Sequence, residues 1–132
     1  MSGDVVLDAS VAVKWIREEP DSAAARDLLR RHVLGELRIW MPEQCVAELL
    51  AVVRRTQGPA LVVETWRQLR RARLAVAPLN DDLVERAARI CAQTGCTFYD
   101  ALAPSLAETL ESGLVSADRR AHGQWPGVEL LG

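Results

Sequence analysis

The sequence predicts an α/β fold, with helices covering both faces of a mainly parallel sheet of four or five strands. This is a three-layer α/β/α arrangement in one domain spanning residues 1–132. Three observations predict it. Short apolar runs, several β-branched, alternate with longer amphipathic stretches. No Asn-Gly or Asp-Gly hairpin turn separates them, which favours parallel pairing through helical crossovers. A chain of 132 residues that is 49% apolar and 26% charged has the size and balance of one core-forming domain.

Each element follows from local chemistry. Val5-Val6-Leu7 reads as a buried strand, and Asp8-Ala9-Ser10 caps a helix to about Arg17. Pro20-Asp21 opens a second helix, with Ala24, Ala25, Leu28, Leu29 and His32 at helical spacing and Gly35 as its stop. Arg38 to Met41 is a second strand, ended by Pro42. Glu43 to Arg55 is a helix, almost wholly apolar from Cys45 to Val53. Gly58-Pro59 breaks it and opens another helix to about Ala72. Leu74 to Ala77 is the third strand. Asn80 or Asp81 caps a helix through Thr94, and Thr97 caps one through about Glu111. Gly113 to Ser116 is the fourth strand, and Val128 to Leu131 a fifth, edge strand.

Composition excludes several classes of function. With 16 basic and 18 acidic residues the formal charge is −2, so the chain is no polybasic nucleic-acid binder overall. No apolar run approaches the roughly 20 residues that span a bilayer, so no membrane association is expected. Met1-Ser2-Gly3-Asp4 lacks the basic start and apolar stretch of a secretory signal. Cys45, Cys91 and Cys96 form no CxxC pair, so neither a disulfide framework nor a zinc site is expected, and the cytosol is the default compartment.

The carboxylates carry the functional signal. Ligands of parallel sheets bind beyond the carboxyl ends of the strands. Asp8 directly follows the first strand, and Asp118 follows the fourth after Ala117. Asp100 lies in the first turn after the cap Thr97, and Glu48 is the sole charge between Cys45 and Val53. Singly, each has a plain structural reading as a cap, a dipole partner or a member of a wet stripe with Gln44 and Arg55. Together they imply one acidic rim, which cannot stay ionised without cations. Mg²⁺ or Mn²⁺, hard ions that take oxygen ligands, are the natural counter-charge, and such a cluster suits phosphodiester hydrolysis. His32, on a helix with apolar neighbours, and His122, in a late loop, have no second His or Cys at ligand spacing and read as structural.

These stretches resemble the PIN-domain family, and within it the VapC-like toxins of bacterial toxin–antitoxin pairs. Asp8-Ala9-Ser10 with Val13-Lys14-Trp15 is similar to the family's opening motif, and Pro42-Glu43 leading to Ala47-Glu48-Leu49-Leu50 to its second. Thr97 to Ala103, continuing to Glu108, is similar to the third; Leu114 to Arg120 is similar to the fourth, with Ser116 where the family often has Thr. The resemblance implies a metal-dependent endoribonuclease acting on RNA, usually a homodimer, held inactive by a cognate antitoxin. It implies Asp8, Glu48, Asp100 and Asp118 as metal-site acids, with Asp8 and Asp100 as direct ligands and Glu48 and Asp118 binding directly or through water. Ser10 and Ser116 would hold carboxylates or water behind them. Three departures stand out: Ala51 where many relatives carry Asn, His122 near the place of an occasional fifth acid, and Pro104 inside the Asp100 helix. A helix-interior Pro costs about 3 kcal/mol and threatens to displace Asp100.

Residues 54–73 hold Arg54, Arg55, Arg67, Arg70, Arg71 and Arg73 against one acid, Glu64. This basic run reads either as an RNA-binding surface, with Arg54, Arg55, Arg67, Arg70 and Arg71 as phosphate contacts, or as a solvated helix face; it would also suit an acidic antitoxin segment. Val11, Ala12, Trp15 and Ile16 form an apolar face that a partner would cover, although packing explains Trp15 as well. Two alternatives compete. A phosphoacceptor receiver domain needs a late Lys, and the sole Lys is Lys14 in the first helix. A non-catalytic PIN-like module acting through protein or RNA binding would be favoured by loss of an acid, and all four are present.

Overall fold

The computed structural model describes residues 3–132; the reading of Met1 and Ser2 lies outside them. Five strands, β1 (Asp4–Leu7), β2 (Arg38–Pro42), β3 (Ala75–Ala77), β4 (Gly113–Ser116) and β5 (Glu129–Leu130), pair in the order β3-β2-β1-β4-β5. Every pairing is parallel, with Val6 opposite both Trp40 and Leu114. The helices between them are α1 (Ala9–Ile16), α2 (Ser22–Val33), α3 (Glu43–Gln57), α4 (Ala60–Arg71), α5 (Asp81–Thr94), α6 (Phe98–Leu110) and α7 (Arg119–His122).

Strand alternation sorts the core into two layers. Leu7, Ile39, Met41 and Val115 face one side, packed with Val11, Ala12, Ala25, Cys45, Leu49 and Leu69 of α1 to α4. Val6 and Leu114 face the other, packed with Leu83, Ala87 and Ile90 of α5 and Leu102 and Leu106 of α6. The sheet is therefore buried on both faces, which explains why its strands are apolar runs without polar alternation. Among the described residues, no helix is long and apolar enough to cross a membrane.

Local chemistry explains most boundaries. Asn80 accepts the Leu83 N–H and Thr97 accepts the Asp100 N–H, capping α5 and α6. Gly95, at φ +76°, ends α5 in the left-handed region that glycine enters without strain. Asp21 stands at the N-cap position of α2 but makes no side-chain capping bond. Its backbone is left-handed and its carboxylate accepts the Gly132 N–H instead. The segment expected as a late loop contains α7, capped by Asp118. Val11 and Ala12 are fully buried, and the Trp15 indole donates to the Ala25 carbonyl at 2.9 Å, so the apolar face of α1 is covered from within. Lys14 is buried too and donates to the Pro20 carbonyl at 2.6 Å, serving the junction before α2.

Candidate active site

The fold brings the four acids to one rim. Asp8 directly follows β1, and its N–H donates to the Val115 carbonyl of neighbouring β4 at 3.1 Å. Its carboxylate caps α1, accepting the Ser10 N–H at 3.1 Å and the Ser10 hydroxyl at 2.6 Å. The Ser10 oxygen in turn accepts the Ala117 N–H at 2.9 Å, so one hydroxyl joins the Asp8 turn to the loop that carries Asp118. Ser116 does similar work from β4, its oxygen accepting the Asp118 N–H at 3.0 Å. Asp118 then caps α7 through the Ala121 N–H at 3.0 Å.

Glu48 reaches the same place from α3. Partial burial, then the charges of Asp8 and Asp100, push its carboxyl above the usual carboxylate range, while a hydrogen bond with Gln44 opposes the shift. Cys45, one turn earlier, sits 3.8 Å from Asp8, and its thiol is driven up by burial and by Asp8, so it stays protonated. Asp100 is half-buried in the first turn of α6, preceded by the exposed aromatic pair Phe98 and Tyr99. A cleft of about 820 Å³ opens beside Asp100 and Asp118, with Cys96, Thr97, Arg120 and Trp125 in its walls.

This donor set suits a hard divalent cation. Its groups are carboxylate oxygens, the ligands such ions prefer. Among the described residues, none of the four acids forms an ion pair with Arg, Lys or His; the eight ion pairs lie elsewhere. Among the described residues, no group of three His, Cys, Asp or Glu side chains stands arranged to hold an ion by itself, and a hard divalent cation commonly keeps waters among its ligands.

The arginines do not form a single patch. Arg54 and Arg55 are exposed in the last turn of α3. Arg55 shares the face of Glu48 two turns on, about 10 Å along the axis. Arg67 is exposed on α4, and Arg70 lies over the Trp66 ring at 5.7 Å. The last turn of α4 leads into the start of β3, which puts Arg70 and Arg71 at the rim opposite the acids. There Arg71 borders a cleft with Asp4, Arg38 and Arg73 and pairs with Glu64 at 3.6 Å. The crossover separates residues that the sequence groups only by proximity along the chain.

The sequence alone reads His122 as a structural residue in a loop, whereas it lies in α7 and touches two of the site's segments. Its ring is 2% exposed and bridges Ser116 Oγ at 2.7 Å and the Asp100 carbonyl at 2.8 Å. Pro104, three residues past Ala101, was the available signal, because it removes the amide hydrogen that the Asp100 carbonyl would otherwise accept.

The family model described as PIN domain matches residues 5–123, so the chain belongs to the PIN-domain family. Among solved structures, it is similar to Mycobacterium tuberculosis VapC20, described as a sarcin-ricin loop cleaving toxin. The TM-score is 0.74 at 13% identity, covering 97% of this chain and 99% of that one. It is similar to a chain of the DNA-bound VapBC complex of Salmonella typhimurium, with TM-score 0.71 at 17% identity, covering 98% and 97%. PAE2754 of Pyrobaculum aerophilum matches at 22% identity with TM-score 0.62, covering 95% and 87%. None of the curated proteins matches the chain in sequence.

Proposed function

We propose that the protein is a metal-dependent endoribonuclease that hydrolyses RNA phosphodiester bonds as the toxin of a toxin–antitoxin pair. One observation carries this reading: four carboxylates, none of them in an ion pair with Arg, Lys or His among the described residues, lie along the carboxyl rim of a PIN fold. The ion, Mg²⁺ or Mn²⁺, supplies Lewis-acid neutralisation of the phosphate and its leaving oxygen and a lowered pKa for water. Asp8 and Asp100 are its proposed direct ligands, and Glu48 and Asp118 bind directly or through water. Ser10 and Ser116 orient the acids from behind. Arg54, Arg55 and Arg67 are the proposed phosphate contacts, and the exposed Phe98 and Tyr99 offer faces for unpaired bases. Several of the similar solved structures are VapBC assemblies, which supports a cognate antitoxin as the partner. Homodimer formation and action in the cytoplasm belong to the same reading.

The test mixes purified protein with structured and single-stranded RNA, with and without Mg²⁺ or Mn²⁺. Wild type is expected to cleave only with the ion, and Asp8→Asn not at all. Equal cleavage by both proteins would defeat the assignment.

A further inference from the structure

Two departures from the family pattern, Pro104 and His122, explain each other. In an α-helix the Asp100 carbonyl would accept the N–H of residue 104. Pro104 has none, so that carbonyl is left open in the first turn of α6. His122 Nε2 lies 2.8 Å from it. A carbonyl oxygen only accepts, so Nε2 carries the hydrogen. In the neutral ring Nδ1 then accepts, and the Ser116 hydroxyl donates to it at 2.7 Å. With its hydrogen so directed, the Ser116 oxygen is free to accept the Asp118 N–H at 3.0 Å. His122 and Ser116 are both buried, at 2% and 0% exposure, so water does not substitute freely for either bond.

We propose that His122 is a positioning residue that stands in for the amide hydrogen Pro104 lacks, tying the turn that carries Asp100 to the turn that carries Asp118. The role rests on the metal-site reading of those two acids. It explains how α6 runs through Pro104 without a break. It also gives the Ser116 hydroxyl a defined direction.

The test is a cycle of four proteins: wild type, His122→Phe, Pro104→Ala and the double variant. Each is checked for folding by circular dichroism and titrated calorimetrically with Mn²⁺. His122→Phe keeps a ring in the pocket but removes both bonds. It is expected to weaken Mn²⁺ binding about tenfold, the lower end for residues that orient metal ligands. Pro104→Ala restores a helix N–H to the Asp100 carbonyl, so in that background the same change is expected to weaken binding no more than about threefold. His122→Gln, whose amide can still donate, is expected to recover part of the loss and serves if the Phe variant does not fold. Equal losses in the two backgrounds, or no loss, would overturn the proposal. A second arm reads the metal-free protein: long-range ¹H–¹⁵N spectra are expected to show the His122 hydrogen on Nε2. A ring protonated on Nδ1 alone would overturn the relay while leaving the metal-site reading intact. Wild-type protein that binds no Mn²⁺ would overturn the metal-site reading and, with it, the positioning role.

Discussion

Ser10→Ala tests how the rim is held together. The hydroxyl donates to the Asp8 carboxylate at 2.6 Å and accepts the N–H of Ala117, 107 residues further along the chain, at 2.9 Å. A hydrogen bond to a charged group contributes about 1.5–3 kcal/mol, and an unsatisfied N–H costs about 1–3 kcal/mol when fully buried. Both residues that Ser10 bridges are half-buried, so water recovers part of each contribution. The methylene remains, so little cavity forms. The net loss is about 2–3 kcal/mol, which lowers the melting temperature of a chain this size by roughly 7–11 °C. The assay is thermal unfolding of metal-free protein, alongside Mn²⁺ titration, where a loss of about tenfold is expected because Asp8 is no longer oriented. Ser10→Thr keeps the hydroxyl and is expected to recover most of both effects. A melting temperature within about 2 °C of wild type, which corresponds to about 0.5 kcal/mol, would refute the reasoning.

Two further outcomes follow from the charges. Glu48 has a folded-state pKa above its ordinary value, so its ionised form opposes folding at higher pH, and that penalty lifts as pH falls through the raised pKa. Metal-free Glu48→Gln is therefore expected to be more stable than wild type at pH 8, with the gap closing as the pH is lowered; denaturant titrations at several pH values check this, and saturating Mg²⁺ is expected to narrow or reverse it. Arg55→Ala is expected to weaken single-stranded RNA binding and reduce the salt slope by about 0.7, whereas Arg71→Ala, at the opposite rim, is expected to leave both unchanged.

The fold and the rim were legible because both are written in local patterns. Val5-Val6-Leu7 and Leu114-Val115 are apolar on consecutive residues because the sheet is covered on both faces, and that alone marks buried parallel strands. The caps Asp8, Asn80 and Thr97 are named by side-chain chemistry that acts within three residues. An acid immediately after a parallel strand must stand at the carboxyl rim, so Asp8 and Asp118 could be placed without coordinates.

What the sequence could not decide depends on contacts between distant segments. The six arginines of residues 54–73 look like one patch along the chain, but the return of α4 to the start of β3 carries Arg70 and Arg71 to the opposite rim. Asp21 opens α2, but only the tertiary structure shows that its carboxylate accepts the Gly132 N–H. Pro104 read alone is a defect and His122 read alone a stray core histidine; only the tertiary structure supplies the 2.8 Å contact that makes one the remedy for the other. Periodicity and capping report what a residue does with its near neighbours in the chain, whereas a hydrogen bond across 22 residues exists only once the layers have packed.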